Sequence, residues 1–351
     1  GGAVEADVTG AEPTGASERA SGEDVEASIV AREADEAALG HSGVAFPLER
    51  DAVLVEGPDA AWYLQGQLTQ DLRPLEVGGT LGALVLSPQG RLVAPLRVVR
   101  LAAETFLLDV ESGAGAAVVD RLERYRLRTK VVLHLHRLTG VGVRARPEAL
   151  AALGSLDGGL IRVATVGRDL RGVDLLSDPR AGESTGAAPI PEELATWHRP
   201  RALSLVAWRI ERGVPLGSVD LDERTIPAEA DLVEGYVSFT KGCYTGQELV
   251  ARLEARGSHV PRRLRGLVAP AGPSGEAAVL GRAGDVIEDD RGPVGRLTSV
   301  GWSVRLGAAV GLGLLARRVE PGTTVDVVGD GGRRPAKVAV LPLVDASDQA
   351  S

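Results

Sequence analysis

The chain predicts an α+β protein, mostly antiparallel, that ends in a small all-β unit. Three observations carry this. Strand-like runs and single helices interleave irregularly between residues 43 and 213, without the regular alternation of a doubly wound parallel sheet. After Pro261 the texture changes to short β-like runs (LRGLVAP, AAVLGRAGDVI, GPVGRLTSV, AAVGLGLLARRV, TTVDVV, PAKVAVLPLV) punctuated by Gly, Pro and Asp. The 351 residues are 44% hydrophobic and 25% charged, a globular composition with room for two or three cores.

Each element follows from its local pattern. Residues 43–56 read as short strands. GPDAAWYLQGQLTQDL opens on Gly-Pro and places Ala61, Leu64 and Leu68 at helical spacing. LGALVLSPQGRLVAPLRVVRL is a hairpin turning at Ser87-Pro88-Gln89-Gly90, and TFLLDV is a further strand. GAAVVDRLERYRL is a helix with Val118, Leu122 and Tyr125 on one face, and TKVVLHLHRL returns as a strand. A weaker helix and strand pair occupies 145–175, and a loop follows through SDPRAGESTGAAPIP. PRALSLVAWRIERG is a helix expected to turn Leu203, Val206 and Ile210 inward, stopped by Gly213. The expected organisation is a tail over 1–40, an α+β region over 41–260, a barrel or sandwich over 261–343 and a short tail over 344–351.

Charge and cysteine usage narrow the function. The formal charge is −9, and residues 1–40, with ten acids and two bases, hold −8 of it. That segment is rich in Ala, Gly and Ser, too poor in large apolar groups to offset its ordering entropy. It is expected to be disordered, with a fraying helix near 25–39. The nearly neutral remainder argues against a nucleic-acid binder. No run approaches the ~18 apolar residues of a membrane span, and the start lacks a signal-peptide layout. No Met occurs anywhere, so residue 1 is not taken as a native start. A single cysteine excludes an internal disulfide framework and a complete thiolate site for an iron–sulfur cluster, and it suits a reducing cytoplasm.

That cysteine sits in KGCYTGQE, residues 241–248. Thr245 and Glu248 have capping-box spacing, and ELVARLEAR continues as a helix through Leu249 and Leu253. Cys243 is therefore expected just ahead of a helix N-terminus and beside Lys241, both of which favour a thiolate. Gly242 and Gly246 permit tight turns. His134 and His136 share a strand face, but no nearby acid or thiol completes a metal site, so no metal ligands are assigned.

KGCYTGQE resembles the signature of the YgfZ family of folate-binding proteins, relatives of the glycine cleavage T-protein. GPDAAWYLQGQLTQDL, SPQGRLVAPLRV, WRIERGVPLGSVDLDERTIPAEADL and GRLTSVGWSVRLGAAVGLGLLARRV are similar to further family segments, so the resemblance covers roughly residues 43–343. It implies a ring of two interleaved α+β domains and a C-terminal antiparallel β-barrel. These would surround a central channel that binds tetrahydrofolate or another reduced folate. It also implies a role in assembly or repair of iron–sulfur clusters in client enzymes, with client or assembly proteins as partners and neither nucleic acid nor membrane. Within it Cys243 is the reactive thiol. Glu211 matches a pterin-contacting Glu, and Tyr244 and Arg252 are further folate-binding candidates. The relatives' acidic pair for aminomethyl transfer falls on Ala94 and Pro95, which can neither orient an amine nor accept a proton. Two alternatives stay open: a folate-dependent one-carbon transferase or demethylase, and a non-enzymatic folate-sensing scaffold.

Overall fold

The computed structural model describes residues 22–153, 159–181, 190–255, 257, 259–269 and 279–344. After helix α1 (Gly22–His41), strand β1 (Val44–Glu56) leads to α2 (Ala60–Gln67). Strands β2 (Thr80–Leu86), β3 (Leu92–Ala102) and β4 (Thr105–Glu111) precede α3 (Gly115–Glu123) and the long β5 (Val132–Arg144). Helix α4 (Pro147–Ala152), β6 (Leu160–Ala164) and β7 (Gly172–Ser177) complete this half. All paired neighbours are antiparallel, in the order β2-β3-β4-β1-β5-β7-β6.

The sheet is curled into a half-barrel. Arg97 of β3 reaches Asp174 of β7 at 2.7 Å, although the two strands lie four places apart in the order. In a flat sheet four steps span about 19 Å. The two edges also meet, where Ala164 N–H donates to Thr80 Oγ1 at 3.2 Å. Strand alternation divides the side chains between the two faces. Ala52, Leu54, Val99, Leu107, Leu138, Ile161, Val163 and Leu176 pack inside the curl. Val53, Val55, Leu96, Val98, Phe106 and Leu108 face outward against Tyr63 and Leu64 of α2 and Val118 and Leu122 of α3.

Helix α5 (Ala202–Arg212) and α6 (Gln247–Ala255) come next. Strands β8 (Arg262–Val268), β9 (Val286–Asp289), β10 (Gly292–Ser303), β11 (Ala308–Ala316), β12 (Thr324–Gly329) and β13 (Gly332–Ala339) close a six-stranded barrel, order β10-β11-β8-β13-β12-β9. Helix α5 joins the two bodies, with Ile210 packed on Leu264, Val310, Leu312 and Leu314 of the barrel wall. Gly301 lets the helix approach: a Cβ there would stand 3.2 Å from the Ala207 backbone.

The structure corrects several sequence expectations. Residues 22–41 form a helix, and its last turns are docked rather than disordered; residues 1–21 lie outside the described residues. The composition argument missed carboxylates with waiting partners. Buried Asp35 accepts from His198 Nε2 (2.6 Å), Arg201 N (3.0 Å) and Ser204 Oγ (2.6 Å), and so caps α5 from another element. Glu36 accepts from Trp208 Nε1 and Arg305. Leu203 is 54% exposed; α5 instead buries Ser204, Ala207, Trp208, Ile210 and Glu211, because it is covered by α1 and the barrel together. In α2 the buried face runs through Ala60, Tyr63 and Leu64, one residue off the expected Ala61.

Candidate functional site

At one mouth of the half-barrel the inward positions change from apolar to charged. Arg50 donates to Asp109 through Nε (2.8 Å) and Nη2 (3.0 Å). Arg97 bridges Asp109 at 2.6 Å and Asp174 at 2.7 Å. Arg144 bridges Asp174 at 2.7 Å and Asp169 at 3.4 Å. The result is a ladder of alternating charge, Arg50-Asp109-Arg97-Asp174-Arg144-Asp169, running across β1, β4, β3, β7 and β5 to the β6–β7 loop. Burial alone would raise the Asp174 pKa, but Arg144 and then Arg97 pull it down to about 2.

This ladder floors a cavity of about 290 Å³. Phe46, Trp208 and Tyr236 supply aromatic surface, Leu205 and Arg209 come from α5, and Pro95 and Glu111 line the β3–β4 side. Arg209 is itself held by Asp220 (2.6 Å) and Ser299 Oγ (2.5 Å), which ties the cavity wall to the barrel. A flat heterocycle with N–H edges finds stacking surface and carboxylates here, and guanidinium groups for anionic substituents. Ala94 is buried among apolar residues and Pro95 faces the cavity, so β3 brings no carboxylate from either position.

The segment 241–248 lies elsewhere. Cys243 is exposed and lines a separate depression with Trp62, Tyr63, Gly66, Tyr125 and Leu127. Around it Trp62 and Leu127 are 74% and 77% exposed. Lys241 is committed to backbone carbonyls. Its Nζ donates to the carbonyls of Gln65 (2.6 Å), Leu68 (2.7 Å) and Gln70 (2.9 Å), closing the end of α2. Burial lowers the Lys241 pKa to about 8, so near neutral pH the group remains cationic and can satisfy all three acceptors.

The expected capping box is also corrected. Gly246 has φ +85°, outside the helical region, and α6 begins only at Gln247. A Cβ at Gly246 would stand 2.5 Å from the Ser87 carbonyl, so the glycine is there to seat the segment on the β2–β3 turn. Gln247 Oε1 accepts the Tyr244 N–H at 3.1 Å, whereas Thr245 bonds through Oγ1 to Gln67 (3.3 Å) and through its N–H to Gly66 O (3.1 Å). Gly242 and Glu248 are exposed. Tyr244 is buried among Leu84, Leu86, Leu232 and Val250, packing the segment onto the sheet, and does not line the 290 Å³ cavity. Arg252 is exposed on α6 and does not line it either.

Glu211 is likewise not on the cavity wall. Its carboxyl is 3% exposed and hydrogen-bonded to Ser303, in the seam between α5 and the barrel. Burial, aided by Glu36, raises its pKa to about 7 against the Ser303 hydrogen bond. The folded chain then keeps a proton that the unfolded chain releases near pH 4.5, so this group's contribution makes stability fall as pH rises from about 4.5 to 7. Glu211→Gln is expected to remove that slope and to gain about 3 kcal/mol at pH 8. Urea unfolding of both proteins at pH 5 and pH 8 checks this, and an equal difference at both values overturns it.

Sequence reading missed the cavity residues Arg50, Arg97, Arg144 and Asp174, and Asp109, which pairs with Arg50 and Arg97 beneath them. A signal was present for Asp109 and Asp174, each a lone acid within an apolar run, FLLDV and GVDLLS; the arginines lie in strands that carry other polar groups and do not stand out.

A curled antiparallel sheet joined by a helix to a closed six-stranded barrel defines the fold class of the glycine cleavage T-protein. Residues 262–345 match the family of the glycine cleavage T-protein C-terminal barrel domain. The crystal structure of glycine cleavage system aminomethyltransferase T from Bartonella henselae superposes with a TM-score of 0.71 at 21% identity, covering 88% of this chain and 89% of that one. Human iron–sulfur cluster assembly factor IBA57, mitochondrial, is 34% identical over 245 residues, 62% of this chain and 64% of the relative. The tRNA-modifying protein YgfZ of Edwardsiella ictaluri is 31% identical over 220 residues, 58% of this chain and 65% of the relative. The chain thus spans just under two thirds of the length of these two relatives. It is similar to YgfZ and IBA57 proteins in sequence and has the T-protein-like fold.

Proposed function

We propose that this protein supports assembly or repair of iron–sulfur clusters, holding a reduced folate in the 290 Å³ cavity and presenting Cys243 to a protein partner. The observation that carries the reading is the separation of two sites. The cavity is aromatic and charged, suited to a small flat ligand, and Cys243 stands outside it between exposed Trp62 and Leu127. Exposed aromatic and aliphatic groups around a thiol suit a protein or its cluster as the cysteine's counterpart, more than a ligand in the cavity. The relatives named as iron–sulfur cluster assembly factors support this reading. A bound tetrahydrofolate would supply a one-carbon carrier; Trp208 and Tyr236 would hold its ring and Asp169 would accept from its N–H groups. The one-carbon transferase reading is weakened by Pro95 at the cavity wall. Among the described residues no helix is long and apolar enough to cross a membrane; the cytoplasmic setting belongs to the proposal.

Calorimetric titration with tetrahydrofolate is expected to give saturable binding, weakened about tenfold or more by Trp208→Ala. Cys243→Ser is expected to leave that binding intact and to abolish support of iron–sulfur enzymes in cells lacking the wild-type protein. Absence of folate binding to the folded protein would remove the folate half. Full support by Cys243→Ser would remove the thiol half and favour the scaffold reading.

A further inference from the structure

A second cavity, of about 640 Å³, borders the first, and Asp169 and Leu170 line both. Its walls come from the end of α1, the β5–α4 junction, the β6–β7 loop, the end of α5 and Arg305 of the barrel. Four arginines line it (Arg146, Arg171, Arg212 and Arg305) against two acids, Glu148 and Asp169. Asp169 also serves Arg144 at 3.4 Å and the Leu170 N–H at 2.7 Å. Arg305 is held by Glu36.

Arg212 is different. It is 9% exposed, and its Nε donates to Arg168 O at 3.0 Å. Its Nη1 is buried with no acceptor among the described residues. Neither Arg212 nor the exposed Arg171 has a carboxylate at ion-pair distance among the described residues. Burial, and then the neighbouring charge of Arg305, lower the Arg212 pKa against the opposing charges of Asp169 and Glu211. A buried guanidinium facing a second cation is costly unless a counter-charge comes between them. Guanidinium forks are also the side chains best matched to oxyanions.

We propose that this second cavity binds a small organic molecule through at least two oxyanion groups, with Arg212 and Arg171 as its ligands. Two sources share that chemistry. One is an anionic γ-glutamyl tail on a folate seated in the first cavity, which rests on the function proposed above. The other is a free polycarboxylate or phosphorylated metabolite, which does not. The test is calorimetric titration of the whole chain at low salt with γ-linked triglutamate and with inorganic tripolyphosphate. The expected result is saturable binding of at least one probe, weakened about tenfold or more by Arg171→Ala and by Arg212→Gln. The Arg171 side chain is on the surface, so its variant tests the site even if Arg212→Gln folds poorly. No binding of either probe overturns the proposal, and so does binding that neither variant weakens. Tetrahydrofolate triglutamate binding more tightly than the monoglutamate, with the gain lost in Arg171→Ala, assigns the tail as the source. Equal folate affinities together with probe binding support the free anion. Probe binding without any folate binding keeps this site while removing the folate reading of the first cavity.

Discussion

Asp174→Ala is expected to lower the unfolding free energy by about 3–5 kcal/mol, the largest loss from one side chain outside the apolar cores. Asp174 is 3% exposed and is the shared partner of Arg97 and Arg144, each at 2.7 Å. Without it, among the described residues, Arg97 keeps only Asp109 as a carboxylate partner and Arg144 keeps only Asp169 at 3.4 Å, and the ion-pair tie from β3 to β7 is gone. The urea midpoint should fall at nearly constant slope if the half-barrel survives in the folded state. The pH dependence has a definite sign. The Asp174 pKa is depressed to about 2, below its unfolded value, so its stabilisation is complete above about pH 4 and is lost as pH falls toward 2. The wild type should weaken across that window more steeply than Asp174→Ala. A loss below about 1 kcal/mol would mean that water replaces the carboxylate and that the ladder is an ornament of an already curled sheet.

Lys241→Met is expected to cost about 3–4 kcal/mol, because three carbonyls at the end of α2 lose one cationic donor together. Those carbonyls, of Gln65, Leu68 and Gln70, belong to the helix end on which residues 241–245 are seated. Lys241→Arg is expected to recover little, since a planar fork cannot aim at three acceptors grouped around one point. Urea unfolding measures the cost for both variants. Full stability in Lys241→Arg would show that charge alone matters here, not the tripod of hydrogen bonds. Because Cys243 is two residues along, the same variants should also change how fast the thiol reacts with a disulfide reagent, with no change in cysteine content.

Those two residues mark different degrees of legibility. The prominence of Lys241 is visible in KGCYTGQE, but its three carbonyl contacts are not. Proximity in sequence to Cys243 suggested thiolate activation, whereas the lysine reaches back 173 residues to Leu68. Asp174 carried a weaker signal, a lone acid inside an apolar strand, with nothing to indicate its partners. Glu211 and Tyr244 were read as ligand contacts because polar and aromatic groups in a matched segment suit a pterin. In the fold one sits in a helix–barrel seam and the other in a core.

The sequence by itself determined the strand and helix types, the hairpin at Ser87–Gly90, the change to barrel texture after Pro261 and the prominence of the single cysteine. All of these rest on periodicity of 2 or 3.6 residues and on turn chemistry, which act over a few residues. Tertiary structure alone decided which charges meet. Curling brings β3 to β7 and makes the ladder, α1 returns to cap α5 through Asp35, and the cysteine lines a depression separate from the cavity. Such pairings depend on contacts between residues far apart in the chain, and local spacing holds no record of them.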